Sequence, residues 1–260
     1  MYLKIFLTSI IFLWLTDNNA QQYVEVASFD AYTARQAVAV DNEFFYAINN
    51  TMIVKYNRQG DSITSQSYAQ SSPLPGLKHL NSGIIVNGKL YCAHSNYPEL
   101  PMVSSIEIFD TETLDHTGSI SFGIDVGSCT WILPCKDGWY VFFAHYEKMQ
   151  PGRDVSWSQL VNFDFKWSKT QAWVLPKELL PKVSPYSLSG AILIDGVFYC
   201  TGHDAKECYL LKIPDKGPYL EWKGTVSVPF EGQGIAVDES GDLWGISRKR
   251  KKVVSAKRLE

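Results

Sequence analysis

Three of the five histidines close an apolar run: His94 at the end of Gly83–His94, His145 at the end of Thr130–His145, and His203 at the end of Ala191–His203. A fourth, His79, stands just ahead of Gly83-Ile84-Ile85-Val86. Imidazole titrates near neutral pH, so it can take or give a proton without extreme tuning. His94, His145, His203 and His79 are therefore the candidate acid–base catalysts, and Tyr146 and Tyr97 could add a phenol. Such a set suits a lyase, isomerase or hydrolase acting on a small polar or carbohydrate-derived molecule. The same residues could instead line a non-catalytic surface that binds a protein or a glycan. If a divalent metal is the cofactor, His94, His145 and His203 are its candidate ligands, with Asp204 or Glu147 completing the shell. The chain has no HExxH or CxxC spacing, no GxSxG nucleophile elbow, and no P-loop or GxGxxG. Glu147, Asp204, Glu207 and Glu231 supply carboxylates, but no pair stands out as the two acids of a glycosidase.

The elements that must position these side chains repeat along the chain. Five times a short polar or glycine-containing turn separates two apolar runs: AVAV-DN-EFFYAIN, GIIV-NG-KLYCAH, TWILPCK-DG-WYVFFAH, AILI-DG-VFYCTGH and GIAVDE-SG-DLWGIS. Asn-Gly and Asp-Gly accept positive φ at low cost and are the favoured two-residue hairpin turns. Counted at Asn42, Gly88, Gly138, Gly196 and Gly241, the turns are 46, 50, 58 and 45 residues apart. A β-rich period of that length is the signature of propeller blades.

Each unit then offers two further strands. The third strands are predicted at Met52–Tyr56, Ser104–Asp110, Ser158–Asp164, Cys208–Pro214 and Lys252–Leu259. The fourth are predicted at Ser62–Tyr68, Gly118–Gly123, Thr170–Pro176 and Thr225–Phe230. The last unit lacks a fourth strand, and a spare one stands at Tyr23–Phe29. A closed ring leaves no edge unpaired, so the N-terminal strand should complete the last blade. The expected fold is all-β: a five-bladed β-propeller of four-stranded blades, occupying residues 21–260 as a single domain. A six-bladed ring is the alternative, with Glu147–Ser156 and Lys177–Ser187 as the only spare chain; both stretches read as loops.

The segment Gly234-Ile-Ala-Val-Asp-Glu-Ser-Gly-Asp-Leu-Trp-Gly-Ile resembles blades of the NHL and gluconolactonase-like propeller families. Ser105-Ile-Glu-Ile-Phe-Asp-Thr-Glu-Thr-Leu is similar to the third strand and turn of many such blades. The resemblance implies an architecture shared by enzymes, receptors and scaffolds. In gluconolactonase-like propellers acidic residues and Asn at inner-strand positions hold a metal. The matching positions here are Gln36, Asn81, Ser128, Ser189 and Gln233, without a carboxylate.

In a propeller blade the first strand lines the axis and the second returns beside it. Strand-one starts and strand-two ends therefore share one mouth of the channel. That mouth should gather the four histidines with Arg35, Gln36, Asn81, Ser189, Gln233, Tyr146, Asp204 and Arg248 as ligand-binding residues. Arg248-Lys249-Arg250-Lys251-Lys252 is either a solvated hairpin tip or an attractor of an anionic ligand at this mouth.

Residues 1–20 carry one early charge, Lys4, an apolar run from Ile5 to Leu15, and a polar stretch ending in Ala20. This is the pattern of a secretory signal peptide, and the run is too short for a comfortable membrane span. A secreted or periplasmic protein is expected, with no membrane span after leader removal. The whole chain is 45% apolar, enough for a core, and its net charge of -3 argues against nucleic acid as partner. The expected partner is a small polar molecule or glycan, and the expected state is a monomer. Five cysteines are too few for a disulfide scaffold. Cys129 and Cys135 share one predicted strand and are about 20 Å apart at about 3.3 Å per residue, too far to bond. Cys200 and Cys208 flank a predicted hairpin and could bond across it.

Overall fold

The computed structural model describes residues 22–68, 77–124 and 126–259. The proposed leader lies outside the described residues. The first four-stranded unit comprises β2 (Ala37–Val40), β3 (Phe44–Ile48), β4 (Met52–Asn57) and β5 (Ser62–Ser67), and β1 (Tyr23–Asp30) precedes it. The second comprises β6 (His79–Val86), β7 (Lys89–Ser95), β8 (Val103–Asp110) and β9 (His116–Ile124). The third comprises β10 (Ser128–Cys135), β11 (Gly138–Ala144), β12 (Gln159–Asp164) and β13 (Lys169–Val174). The fourth comprises β14 (Gly190–Ile194), β15 (Val197–Thr201), β16 (Glu207–Lys212) and β17 (Glu221–Ser227). The chain ends with β18 (Glu231–Val237), β19 (Leu243–Ser247) and β20 (Lys252–Arg258).

Within each unit the strands pair antiparallel in sequence order. β1 runs antiparallel to β20, with Tyr23 opposite Arg258 and Asp30 opposite Lys252, so the N-terminal strand completes the last sheet. That sheet touches the first through one parallel pair, Gly234 opposite Ala37. The Gly234 N–H donates to the Gln36 carbonyl at 2.9 Å. The first strands of successive sheets also meet side by side: β2 on β6, β6 on β10, β10 on β14, and β14 on β18. The fold is all-β and β-propeller-like.

Strand alternation explains the core. Successive side chains face opposite sides, so each sheet fills two apolar layers. On β15, Phe198 and Cys200 pack toward the third sheet with Trp131, Phe142 and Leu160, whereas Tyr199 packs toward the last sheet with Phe230, Ile235 and Leu243. Phe45 and Val54 of the first sheet close on Trp244, Ile246 and Val253 of the last. Tight turns let the strands return at once: Asn87 and Gly88 have φ of 51° and 72°, and Asp195 and Gly196 have 50° and 76°. Both central residues at positive φ define the hairpin turn that Asn-Gly and Asp-Gly favour.

All five cysteines are free. Cys200 belongs to the layer facing the third sheet and Cys208 to the layer facing the last, so the two thiols lie on opposite faces and cannot bond. The fourth strand expected at Thr225–Phe230 runs instead over Glu221–Ser227, with a register shift against β16 between Leu210 and Leu211. The stretches 147–156 and 177–187 hold a 3-10 turn at Val155–Trp157 and a short helix α1 (Leu180–Val183), and no strand. Among the described residues no helix is long and apolar enough to cross a membrane.

Candidate active-site pocket

The first strands start at one mouth, and there they enclose a polar cavity of about 400 Å³. Each of the units contributes a side chain at or just before its first strand: Gln36, then His79 and Asn81, then Thr130, Ser189 and Gln233. Loops that follow the second strands, and one that precedes β14, add Tyr97, Tyr146, Tyr186 and His203. Regular strands place residues i and i+2 on one face, which sets His79 and Asn81 side by side on β6.

Several of the polar side chains are anchored by hydrogen bonds to the wall behind them. Asn81 donates through Nδ2 to the Cys129 carbonyl at 2.8 Å, and Thr130 donates to the Leu188 carbonyl at 2.8 Å. Gln36 donates to Asn50 Oδ1 at 2.7 Å. Such anchoring holds the cavity wall in one arrangement.

Five rings form a continuous arc. His79 and Tyr97 lie 5.1 Å apart between centroids, Tyr97 and Tyr146 5.4 Å edge-on, Tyr146 and Tyr186 6.5 Å, and Tyr186 and His203 4.2 Å. Burial pushes the Tyr146 phenol well above its ordinary range, so it stays protonated and can donate. Burial, reinforced by His94 and His203, lowers His79 to about 4, so this imidazole is neutral at physiological pH.

His203 is held differently. Its Nδ1 lies 2.7 Å from Asp204 Oδ2. An ionised carboxylate only accepts, so Nδ1 carries the proton, and whenever the ring is neutral its lone pair is on Nε2. Burial works to raise the Asp204 carboxyl, but the His203 hydrogen bond and the charges of His203 and Arg248 outweigh it and hold the group below its ordinary value. Arg248 bonds to Asp204 and also donates to the His203 carbonyl at 2.8 Å. An imidazole, a carboxylate that orients it, and a cation that fixes the carboxylate thus stand at the cavity edge.

The structure brings Gln36, His79, Asn81, Tyr146, Ser189, His203 and Gln233 together at this cavity, with Asp204 and Arg248 bracing His203 from outside its lining. Arg35 is exposed and lies outside the lining. His94 and His145 end their strands as expected but are buried elsewhere. His94 Nε2 accepts from the Lys78 N–H at 3.1 Å, and Nδ1 meets Ser105 Oγ at 2.9 Å. Ser105 in turn donates to Glu107 at 2.5 Å, which also accepts from Ser119 and contacts His116 Nε2 at 2.8 Å. Both nitrogens of His94 are therefore committed, one to β8 and one to the chain entering β6, and burial lowers its pKa although Glu107 opposes this. His145 Nδ1 meets Gln150 Oε1 at 2.7 Å, beneath the loop that follows β11. Among the described residues no group of three or more His, Cys, Asp and Glu side chains gathers where it could hold a metal ion. His94, His145 and His203 are thus not assembled as a ligand set. Tyr186 is the lining residue that sequence patterning gives no reason to single out; its nearest signal is its place three residues before Ser189.

No family model matches the chain, and no curated protein matches it by sequence. Solved structures do. The glutaminyl cyclase of Myxococcus xanthus superposes with a TM-score of 0.60 at 8% identity, covering 92% of this chain and 98% of that one. A protein of unknown function from Bacteroides caccae gives 0.42 at 11% identity, over 75% of this chain and 60% of that one. The WD40 β-propeller domain of Doa1 gives 0.45 at 8% identity, over 92% and 98%. At such identities the likeness to the cyclase is one of fold, spanning nearly the whole of both chains: an all-β, propeller-like arrangement of four-stranded sheets.

Proposed function

We propose that this chain is a secreted, five-bladed β-propeller whose polar mouth carries out acid–base chemistry on a small polar or carbohydrate-derived molecule. The observation that carries the reading is the His203–Asp204 pair at 2.7 Å on the edge of a cavity that also holds neutral His79. His203 is the base, taking a proton at Nε2. Asp204 and Arg248 are positioning residues, because they act through the ring. Tyr97, Tyr146 and Tyr186 offer aromatic faces to a ring-shaped substrate, and Asn81, Gln36 and Gln233 offer amides to its hydroxyl or carbonyl groups. The five-blade reading is supported by the cyclic order in which the first strands touch and by the pairing of β1 with β20. Export is supported by the leader pattern of residues 1–20.

The test begins with thermal-shift and NMR binding of the purified chain to monosaccharides, uronates, sugar lactones and, because of the cyclase likeness, a glutaminyl peptide. Turnover of any bound compound is then followed. His203→Ala should cost roughly 10²–10⁴ in kcat, the usual contribution of a general base, with the fold intact. Asp204→Asn should act in the same direction but less. Full turnover in both variants would remove the catalytic reading. The non-catalytic alternative predicts a partner that survives His203→Ala and maps to the rim or to the loop at 147–156.

A further inference from the structure

At the opposite face the first strands end around a second cavity, of about 780 Å³. Apart from Ser82 its side chains are apolar, among them Val40, Ile85, Leu133, Ile192, Leu193 and Val237, with polar backbone sharing the wall, and no charged or aromatic side chain lines it. The two cavities share no lining residue. Gly234 lies between them: a Cβ there would fall 2.4 Å from the Ala37 Cβ and 2.6 Å from the Ser82 Cβ, so β18 approaches β2 and β6 closely at the level that separates the two cavities. The apolar mouth is therefore a site of its own, and hydrocarbon is the material that would leave water to fill it.

The rim supplies the second half of the recognition. Asp41 follows Val40, Asp238 follows Val237, and Asp195 stands two residues past Leu193. The turns that join first to second strands hold two carboxylates in the first unit, none in the second, one each in the third and fourth, and three in the last, which makes seven. Against these seven stand Lys136 in the third turn, Lys89 at the start of β7, Arg58 beside Asp238 at 3.5 Å and Lys257 facing Asp242. Asp137, Asp195 and Glu239 are exposed. An aliphatic pit within a surplus of negative charge selects a ligand that is greasy at one end and positive at the other.

We infer that this mouth binds a cationic amphiphile, an alkylammonium whose chain enters the aliphatic cavity while its head stays among the carboxylates. The probe is decyltrimethylammonium, titrated calorimetrically into the purified chain below its micellar concentration. Decyl sulfate and tetramethylammonium serve as controls that keep the chain or the head alone. The expected result is saturable binding with a negative heat-capacity change, at least tenfold tighter than decyl sulfate, and no heat with tetramethylammonium. Leu193→Trp, which fills the pit from its half-buried wall, should weaken binding at least tenfold. Asp195→Asn combined with Glu239→Gln should weaken it severalfold at low salt, with the difference vanishing at high salt. Should Leu193→Trp fail to fold, the comparison of the two head groups on the unaltered chain still decides. Equal affinity for both head groups, binding untouched by a folded Leu193→Trp, or no binding at all would overturn the inference. So would sedimentation showing a dimer that the amphiphile dissociates, since a second copy would then be the occupant.

Discussion

His79 sits in the wall of the polar cavity with its pKa lowered to about 4 from an ordinary 6.5 by burial. The folded state therefore favours the neutral ring, and the unfolded chain binds the extra proton first. Linkage gives the sign: this contribution to stability is present above about 6.5 and is lost as pH falls from there to about 4. His94, lowered in the same direction, adds to the same slope. We expect the melting temperature to fall between pH 6.5 and pH 4, and His79→Gln to flatten that fall; a variant with an unchanged slope would mean that His79 titrates as if exposed. The positions of His79, His94, His145 and His203 are legible in the sequence, since each closes or precedes an apolar run. Which rings face the axis is not. The first strands carry register shifts near the mouth, between Leu80 and Gly83, between Cys129 and Trp131, and between Glu231 and Ala236. A bulge interrupts simple alternation and re-aims the side chains around it. His94 is instead captured by Ser105, its cross-strand partner, and by Glu107 two residues on along the same face.

At the scale of elements, β1 shows how a run of charge can be misread when only its sign is seen. Arg248 reaches Asp204, Arg250 reaches Glu25 at 2.8 Å, and Lys252 reaches Asp30 at 2.9 Å. Alternate members of the basic run thus clamp β1 and the His203 loop, while Lys249 and Lys251 stay exposed. The strand and its place in the ring were readable, because a spare N-terminal strand had one vacancy to fill; the clamps were not, because their partners lie far away in sequence. Magnitudes separate the two supports. The Arg250–Glu25 pair is substantially exposed, so Arg250→Ala should cost at most about 1 kcal/mol. Tyr23 is buried between the fourth and last sheets, and Tyr23→Ala should cost on the order of 3 kcal/mol, as large-to-small core changes do. That corresponds to roughly 6–12 °C in melting temperature for a chain of this size. Deleting residues 21–29 should go further and expose the edge of β20 to aggregation. A deletion as stable and as soluble as the parent would show that β1 merely decorates the sheet.

Across the whole molecule, both mouths depend on how closely the inner strands approach the axis, and Gly234 sets that approach. It pairs with Ala37 across the seam between first and last sheets, and its missing side chain leaves room for Ala37 and Ser82. Gly190 stands against the same point, where a Cβ would meet the Gln233 carbonyl oxygen at 2.5 Å. Directional contacts at the seam are few, the one parallel pair of β18 with β2 and the Arg58–Asp238 ion pair at 3.5 Å, and apolar packing of Phe45 against Trp244 adds the rest. Gly234→Ala should therefore push β18 away from both β2 and β6 and cost about 1–3 kcal/mol, the usual range for overpacking. The control is Gly241, whose φ is 82° at an open turn with nothing near a Cβ. Gly241→Asn keeps a residue that tolerates this conformation and should stay within about 0.5 kcal/mol of the parent. Chemical denaturation of the two variants measures the difference. Because the wedge would open the axis and not one sheet, Gly234→Ala should also weaken ligand binding at both mouths together. Parent-like stability in Gly234→Ala would mean that the inner strands have slack at the seam, and that neither cavity owes its shape to ring closure.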